Sequence, residues 1–286
     1  MESAEHSYFL GQHTLSADIA RVIDQSTMFE QEFGLLAELT EDEITRLQSV
    51  LDVGCGPGHW LIALAAKYPH IYYSGIDINP RVINYAEATA GTAGRQIVFQ
   101  TMDATKHEAW LHTFVPASFD LVNMRLGASF LRTGMWGPLL QEFVRVTSPG
   151  GYIRLTETDI MGETNSQAWS KLQELSFEVF RKDDRSFPGG KGVGLTPRLR
   201  NLLTEAGVRN IQEYPYQIDL SSTSQWHTLV TNDMIMAMYQ GKQWLINMGA
   251  ASEEELHILY EQAREDLLSP DLRGHWDLLC LIGRVE

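Results

Sequence analysis

Cysteine is almost missing from this sequence. Cys55 and Cys280 stand far apart among 286 residues and form no metal-ligand spacing. That pattern excludes a disulfide framework and gives no case for a bound metal. Free thiols suit a reducing compartment, so a cytoplasmic location is expected. Long apolar runs are also absent: none approaches the roughly 18 residues of a membrane span. The opening Met1-Glu2-Ser3-Ala4-Glu5-His6 is acidic and polar, unlike a secretory signal. Positive charge is scarce, with 22 Lys and Arg against 37 Asp and Glu, a formal net charge of -15. Such a surface repels phosphate backbones and anionic lipid, so neither nucleic acid nor membrane is expected as a partner. Internal repeats and low-complexity stretches are lacking too.

What is present is enough apolar material for a large core, 44% of residues. The length fits a single α/β domain with insertions. Residues 14 to 39 predict a helix, with Ile19, Val22, Ile23, Phe29, Phe33 and Leu36 recurring at spacings near three and four. From about residue 48, short apolar runs at Val50–Val53, Ile71–Ile76, Ile97–Thr101, Phe119–Asn123 and Tyr152–Thr156 alternate with helical stretches near 59–68, 80–90, 106–113 and 135–147. Repeated β-α-β units predict a parallel sheet with helices on both faces. Pro149-Gly150-Gly151 reads as a tight turn feeding the fifth strand. Beyond residue 158 the rhythm changes. A helix is expected over 165–182, a loop over Phe187–Gly194, a helix over 197–206 and a strand over 208–220. Helix broken near Gly249 follows over 224–268, and a closing strand runs from Trp276 to Val285.

The chemistry begins at Val50-Leu51-Asp52-Val53-Gly54-Cys55-Gly56-Pro57-Gly58, a strand running through a glycine loop into a helix. Glycine lets the backbone turn sharply and approach a ligand. The helix start adds free N–H groups and partial positive charge. The spacing departs from G-x-G-x-x-G, because the third glycine comes one residue early and His59 takes its place. A phosphate-binding P-loop is excluded, since no Gly-Lys-Ser/Thr follows, and Gly190-Lys191-Gly192 lacks both the hydroxyl residue and the preceding strand. Two further acids stand at strand ends: Asp77 in Gly75-Ile76-Asp77-Ile78 and Asp103 in Thr101-Met102-Asp103-Ala104. Ligands of open α/β sheets bind at that edge.

These motifs, with Phe119-Asp120-Leu121-Val122 and Pro149-Gly150-Gly151-Tyr152, resemble the successive motifs of class I S-adenosylmethionine-dependent methyltransferases. The resemblance covers residues 48–158 strongly, and 195–220 and 275–286 through strand pattern alone. It implies a three-layer, doubly wound α/β fold of Rossmann type with seven mostly parallel strands, the last antiparallel and inserted beside the fifth. It implies S-adenosylmethionine as cofactor and S-adenosylhomocysteine as product. Asp52 and the backbone of Gly54, Cys55 and Gly56 would hold the methionine part. Asp77 would bind the ribose hydroxyls with Ile78 against the adenine. Asp103, beside Ala104, would bind the adenine amine, and Asn123 and Arg125 would lie near the methionine end. The segment His6-Ser7-Tyr8-Phe9-Leu10-Gly11 resembles the N-terminal cap of small-molecule members, with Tyr8 over the cofactor.

The expected organisation is one methyltransferase domain over 1–286: a helical cap at 1–45, a cofactor-binding core at 48–158, and helical insertions at 159–195 and 221–270 forming a substrate lid. An activated methyl donor needs mainly placement of the nucleophile, so no catalytic motif need exist, and none stands out. His13, His59 and Glu157 are the acceptor-side candidates. Trp226, Met234, Met236, Met238, Tyr239, Trp244 and Met248 read either as plain core or as an adaptable apolar lid. Arg181, Lys182, Arg185, Lys191 and Arg198 read either as a solvated loop or as a grip for an anionic acceptor. The expected activity is methyl transfer to a small-molecule acceptor, such as a secondary metabolite. A macromolecular acceptor and a non-catalytic cofactor-binding scaffold are the alternatives.

Overall fold

Alternating strand and helix between Ser49 and Glu157 assemble the core of the fold. In the computed structural model, which describes residues 15–286, the chain runs α1 (Leu15–Phe33), α2 (Glu41–Arg46), β1 (Ser49–Val53), α3 (His59–Lys67), β2 (Tyr72–Asp77), α4 (Pro80–Thr92) and β3 (Ile97–Thr101). It continues through α5 (His107–Thr113), β4 (Phe119–Arg125), α6 (Trp136–Val146), β5 (Thr147–Glu157), β6 (Glu163–Thr164) and α7 (Gln167–Lys182). The last elements are α8 (Thr196–Ala206), β7 (Val208–Asp219), α9 (His227–Asn247), α10 (Glu253–Leu267) and β8 (Gly274–Val285). Strands β3, β2, β1, β4 and β5 are parallel neighbours in that order. Strand β8 runs antiparallel beside β5, and β7 pairs with its other flank. This is the seven-stranded, mostly parallel sheet of the methyltransferase fold. The two-residue β6 adds to the start of β8 on the flank that β5 leaves open.

Strand alternation divides the interior into two faces. Leu51, Val53, Val122, Met124, Ile153 and Leu155 point to the layer of α5, α6 and α8, where Trp110, Trp136, Phe143, Leu199 and Leu203 are buried. Val50, Leu121, Tyr152 and Ile282 point to the opposite layer, with Trp60, Leu61 and Leu64 of α3 and Ile83, Ala86 and Ala90 of α4. Each fully buried large side chain of this kind contributes roughly 1.5–3 kcal/mol.

A third apolar cluster lies at the carboxyl edge of the sheet. It joins Met28, Phe29 and Phe33 of α1 to Trp169 and Leu172 of α7, Met234 and Met238 of α9, and Leu256 and Tyr260 of α10, over Ile218 of β7 and Trp276 of β8. Met234 and Met238 are therefore core residues of this helical roof, while Tyr239 is 45% exposed. The break between α9 and α10 follows from Gly249, at φ +67°, and from Ser252, which forms a capping box with Glu255.

Three local features differ from the sequence expectation. Helix α1 stops at Phe33 rather than near residue 39, because Gly34 takes φ +74° and the chain turns. The short helix α2, capped by Thr40 and Glu43, was too brief for a periodic signal. The turn at Pro149-Gly150-Gly151 lies within β5, as a bulge where the register with β4 jumps between Phe119 and Leu121.

Helix α1 is tied to α9 by a buried charge. Asp233, 2% exposed, accepts from Arg21 Nη1 at 2.7 Å and Gln25 Nε2 at 3.0 Å. Trp226, just before α9, donates to Glu32 of α1. Truncating Asp233 removes the buried acceptor shared by Arg21 and Gln25. Asp233→Ala should lower the unfolding free energy by about 2–4 kcal/mol, measured by urea denaturation. A change under half a kcal/mol would refute the tie.

Candidate functional site

The glycine loop leaves β1 at Val53 and enters α3 at His59. Gly56 and Gly58 adopt left-handed φ of +54° and +74°. A Cβ on Gly58 would lie 2.5 Å from Cζ of Phe99, and one on Gly56 would touch Val22 of α1 at 3.4 Å. The loop thus keeps a bare backbone at its glycines, by steric crowding at Gly58 and by left-handed φ at Gly56 and Gly58. Helix α3 opens directly from it, so the N–H groups of its first turn have no partner within the helix. The loop is also fastened to the second motif: Asp77 Oδ2 accepts from Gly56 N at 3.1 Å, and its Oδ1 from Asn79 N at 2.9 Å. Burial raises the Asp77 carboxyl above its ordinary value, against those backbone bonds.

Sheet register brings three polar side chains into one buried row. Asp52 pairs with Asn123 across β1 and β4, and Asn123 pairs with Arg154 across β4 and β5. Asn123 Nδ2 donates to Asp52 Oδ1 at 2.8 Å, and Arg154 Nη1 donates to Asn123 Oδ1 at 2.9 Å. Arg154 in turn grips Glu38 with Nε and Nη2, at 3.0 and 2.8 Å. Tyr216 of β7 donates to Glu38 Oε1 at 3.0 Å. Burial pushes Asp52 up to about 6, with Arg125, Asn123 and Arg154 pulling the other way and Asp77 adding to the rise. Burial also pushes Glu38 up, but Arg154 outweighs it by charge and hydrogen bonds and holds Glu38 below its ordinary value.

Arg125, at the end of β4, projects on the same side as Asn123. Its Nη2 donates to Ser26 of α1 at 3.2 Å, and its guanidinium lies 5.6 Å from the Trp60 ring and 6.0 Å from the Phe29 ring. Close by, His59 Nε2 stands 3.3 Å from Thr27 Oγ1 and 3.7 Å from Glu30 Oε1. Burial raises Glu30 to about 7, against the pull of Arg125 and Ser26. Burial, and then Arg125, lower His59, so its ring is neutral at neutral pH.

At the outer end of the edge, Ile78 is 39% exposed beyond β2. Asp103 Oδ1 accepts from Thr105 N and Oγ1 at 2.9 and 2.6 Å, and Ala104 is half-buried beside it. Thus Asp52, Gly54, Cys55, Gly56, Asp77, Ile78, Asp103, Ala104, Asn123 and Arg125 all line one strand edge, from β3 to β4. The bare loop, the free helix start and the strand-end carboxylates fit a ligand carrying a nucleoside at one end and mixed charges at the other. Tyr8 and His13 lie outside the described residues. Glu38 and Arg154 were not read from the sequence as site residues. Arg154 was visible as a charge inside an apolar strand, whereas Glu38 carries no local signal.

Glu157 ends β5 fully buried, on the opposite face of the sheet from Arg154. It accepts from the backbone N–H of Gly127 at 2.6 Å and Ala128 at 3.2 Å, holding the turn that follows β4. The basic residues of the 181–198 stretch are engaged where the structure shows partners. Asp183 takes Arg185 at 2.6 Å and Arg132 at 2.8 Å, and Lys191 meets Glu163 at 2.6 Å. Glu163, His275 and Asp277 bring ligand atoms within 4.8 Å of one another, yet Glu163 holds Lys191 and Asp277 accepts from Gln217. No helix among the described residues is long and apolar enough to cross a membrane.

Residues 50–151 match a family model described as a methyltransferase domain. The chain is 25% identical over 256 residues to "Methyltransferase str2" of Strobilurus tenacellus, covering 80% of this chain and 81% of that protein. It is 26% identical over 191 residues to a demethylmenaquinone methyltransferase of Bacillus licheniformis, covering 61% and 76%. Its fold matches phosphoethanolamine N-methyltransferase 2 of Haemonchus contortus, solved with S-adenosyl-L-methionine, with a TM-score of 0.53 at 15% identity; the match covers 96% of this chain and 59% of that one. The chain carries a class I methyltransferase domain. It is an S-adenosylmethionine-dependent methyltransferase.

Glu157 generates a stability test. Burial lifts its carboxyl to about 8, against the two backbone N–H groups. A carboxyl raised in the folded state adds stability that is complete below its unfolded value near 4.5 and is lost as pH rises through about 8. Glu157→Gln keeps an acceptor for Gly127 and cannot ionise. Its stability relative to the parent should therefore rise between pH 5 and pH 9, by on the order of 2 kcal/mol. Parallel stability curves over that range in thermal melts would rule this out.

Proposed function

We propose that this methyltransferase acts on a small-molecule acceptor, seated between the glycine-loop edge and the helical roof. The observation that carries the reading is the apolar cluster of α1, α7, α9 and α10 lying over the carboxyl edge on the β7–β8 side. An enclosed apolar roof suits a small ligand better than an extended polymer. The net charge of -15 disfavours nucleic acid. One relative is named for a small molecule, demethylmenaquinone. The two cysteines, buried and unpaired, accord with a reducing compartment. In this reading residues 48–158 bind the cofactor, 1–45 cap it, and 159–195 with 221–270 close the acceptor side, all within one domain.

The residues divide the work by chemistry. Asp52 and the backbone of Gly54, Cys55 and Gly56 take the methionine part, with Asn123 and Arg125 beside it. Asp77 takes the ribose hydroxyls, Ile78 covers the adenine, and Asp103 with Ala104 receives the adenine amine. Tyr8 closes over the cofactor. When bound, the cofactor supplies an electrophilic methyl group on a positively charged sulfur. The protein's share is to orient the acceptor and exclude water. His59, with His13, supplies imidazole nitrogens on the acceptor side. Glu157 acts there through the Gly127 turn that it holds.

Incubation of a cell extract with methyl-labelled cofactor should put label into the small-molecule fraction. Label confined to protein or nucleic acid would overturn this acceptor class. The Asp52 assignment has its own test. Because Asp52 titrates near 6, its negative charge toward the cationic cofactor fades as pH falls. Isothermal titration with S-adenosylmethionine should show binding about tenfold weaker at pH 5 than at pH 7.5. Asp52→Asn should bind more weakly and lose that step. Persistence of the step in the variant would remove Asp52 from the site.

A further inference from the structure

We infer that Glu38 and Arg154 are positioning residues for the cofactor, passing a fixed hydrogen-bond polarity through the Asn123 amide to Asp52. The inference rests on the assignment of Asp52 to the cofactor site.

The direction of the row follows from donor inventory. Arginine only donates. Glu38 occupies Nε and Nη2 of Arg154 in a two-point grip, so the remaining Nη1 is the group left to meet Asn123. Facing a donor, Asn123 must turn its carbonyl oxygen toward Arg154. Its Nδ2 then points the other way and donates to Asp52 Oδ1. The flipped amide would set oxygen against oxygen at Asp52 and donor against donor at Arg154, so the two neighbours together hold one orientation. Asn123 is 0% exposed, so bulk water does not reach it.

The row also reaches outside the sheet. Glu38 belongs to the turn after α1, and Tyr216, which donates to it, stacks on Phe33 of α1 with ring centroids 4.1 Å apart. Seating of that N-terminal segment and setting of the Asp52 carboxylate are therefore one arrangement. Among the described residues Glu38 is the acid paired with Arg154, and the pair is buried at both ends, with side-chain exposures of 4% and 0%.

The groups that face Asp52 set the sign of the test. They are Asn123 and Arg125 from β4, Arg154 from β5, Asp77 from β2 and Cys55 from its own loop. Glu38 lies one residue further along the row, behind Arg154. Removing the Arg154 charge lets the Asp52 titration rise. Removing Glu38 leaves the Arg154 charge uncompensated, and the Asp52 titration falls. A contact that served only to hold the fold would disturb both variants alike.

The experiment is isothermal titration of the full chain with S-adenosylmethionine from pH 5 to 7.5, with near-ultraviolet circular dichroism confirming the fold. Arg154→Met should move the midpoint of the pH step upward and weaken binding at pH 6 by about tenfold. Glu38→Gln should move the midpoint downward. Should Arg154→Met fail to fold, the double variant E38Q/R154M removes the buried charge together with its partner and should also move the midpoint upward. An unmoved midpoint, or one that moves the same way in Arg154→Met and Glu38→Gln, overturns the inference. A parent protein that binds the cofactor with no step removable by Asp52→Asn overturns the Asp52 assignment itself, and the inference falls with it.

Discussion

The pairing of Glu38 with Arg154 is the constraint on which this site depends. A guanidinium inside a sheet costs several kcal/mol in lost hydration unless every N–H is satisfied. Here Nε, Nη1 and Nη2 donate to one carboxylate and one amide, and that demand fixes what can stand on either side. The chain before β1 must deliver a carboxylate at Glu38. The strand next to β5 must offer an acceptor at Asn123. The acceptor is an amide, so the next position along the row must accept in its turn, and Asp52 does. Strand register alone sets the spacing, because Asp52, Asn123 and Arg154 are direct neighbours across three parallel strands.

The same logic explains why the edge mixes buried acids of different character. Asp52 is lifted by burial but restrained by two guanidinium groups, whereas Glu157, on the other face, has only backbone N–H groups and is lifted further. Glu30 falls between them, with Arg125 as its counterweight. Burial lifts all three carboxyls; Arg125 and Arg154 oppose it at Asp52, Arg125 at Glu30, and backbone N–H groups alone at Glu157. Asp52, the one beside the glycine loop, is where a cationic ligand end gains most from negative charge.

Much of the architecture was legible in the sequence. Each of the five parallel strands announced itself as a short apolar run, and the glycine loop, Asp77 and Asp103 fell at strand ends as the spacing required. The antiparallel β8 between β5 and β7 followed from the resemblance rather than from pattern. What stayed hidden depends on pairing across long sequence distances. Glu38 sits in a six-residue turn with nothing local to mark it, and it acquires meaning only when Arg154 lies against it. Asp233 reads as an ordinary helix-surface acid until α1 brings Arg21 and Gln25 to it. The methionine-rich stretch of α9 was legible as apolar but not as core or lid. The packing of Met234 and Met238 against α1, α7 and α10 settles them as core.

Helix α1 therefore serves two masters. Along one side Arg21, Gln25 and Glu32 bind it to α9 and the roof. Along the other, Val22 covers Gly56, Ser26 holds Arg125, and Thr27 and Glu30 meet His59. Its last aromatic ring stacks on Tyr216, and the turn beyond supplies Glu38. A single helix thus touches the glycine loop, the end of β4, the roof and the buried row. The sheet edge and the helical roof are therefore linked through α1 while it is seated. Lifting α1 would uncover Gly56, release Arg125 and withdraw Glu38 from Arg154 in one motion. An enzyme that must exclude water around a reactive methyl group gains from such coupling, because an open site is also a site with its carboxylate row undone.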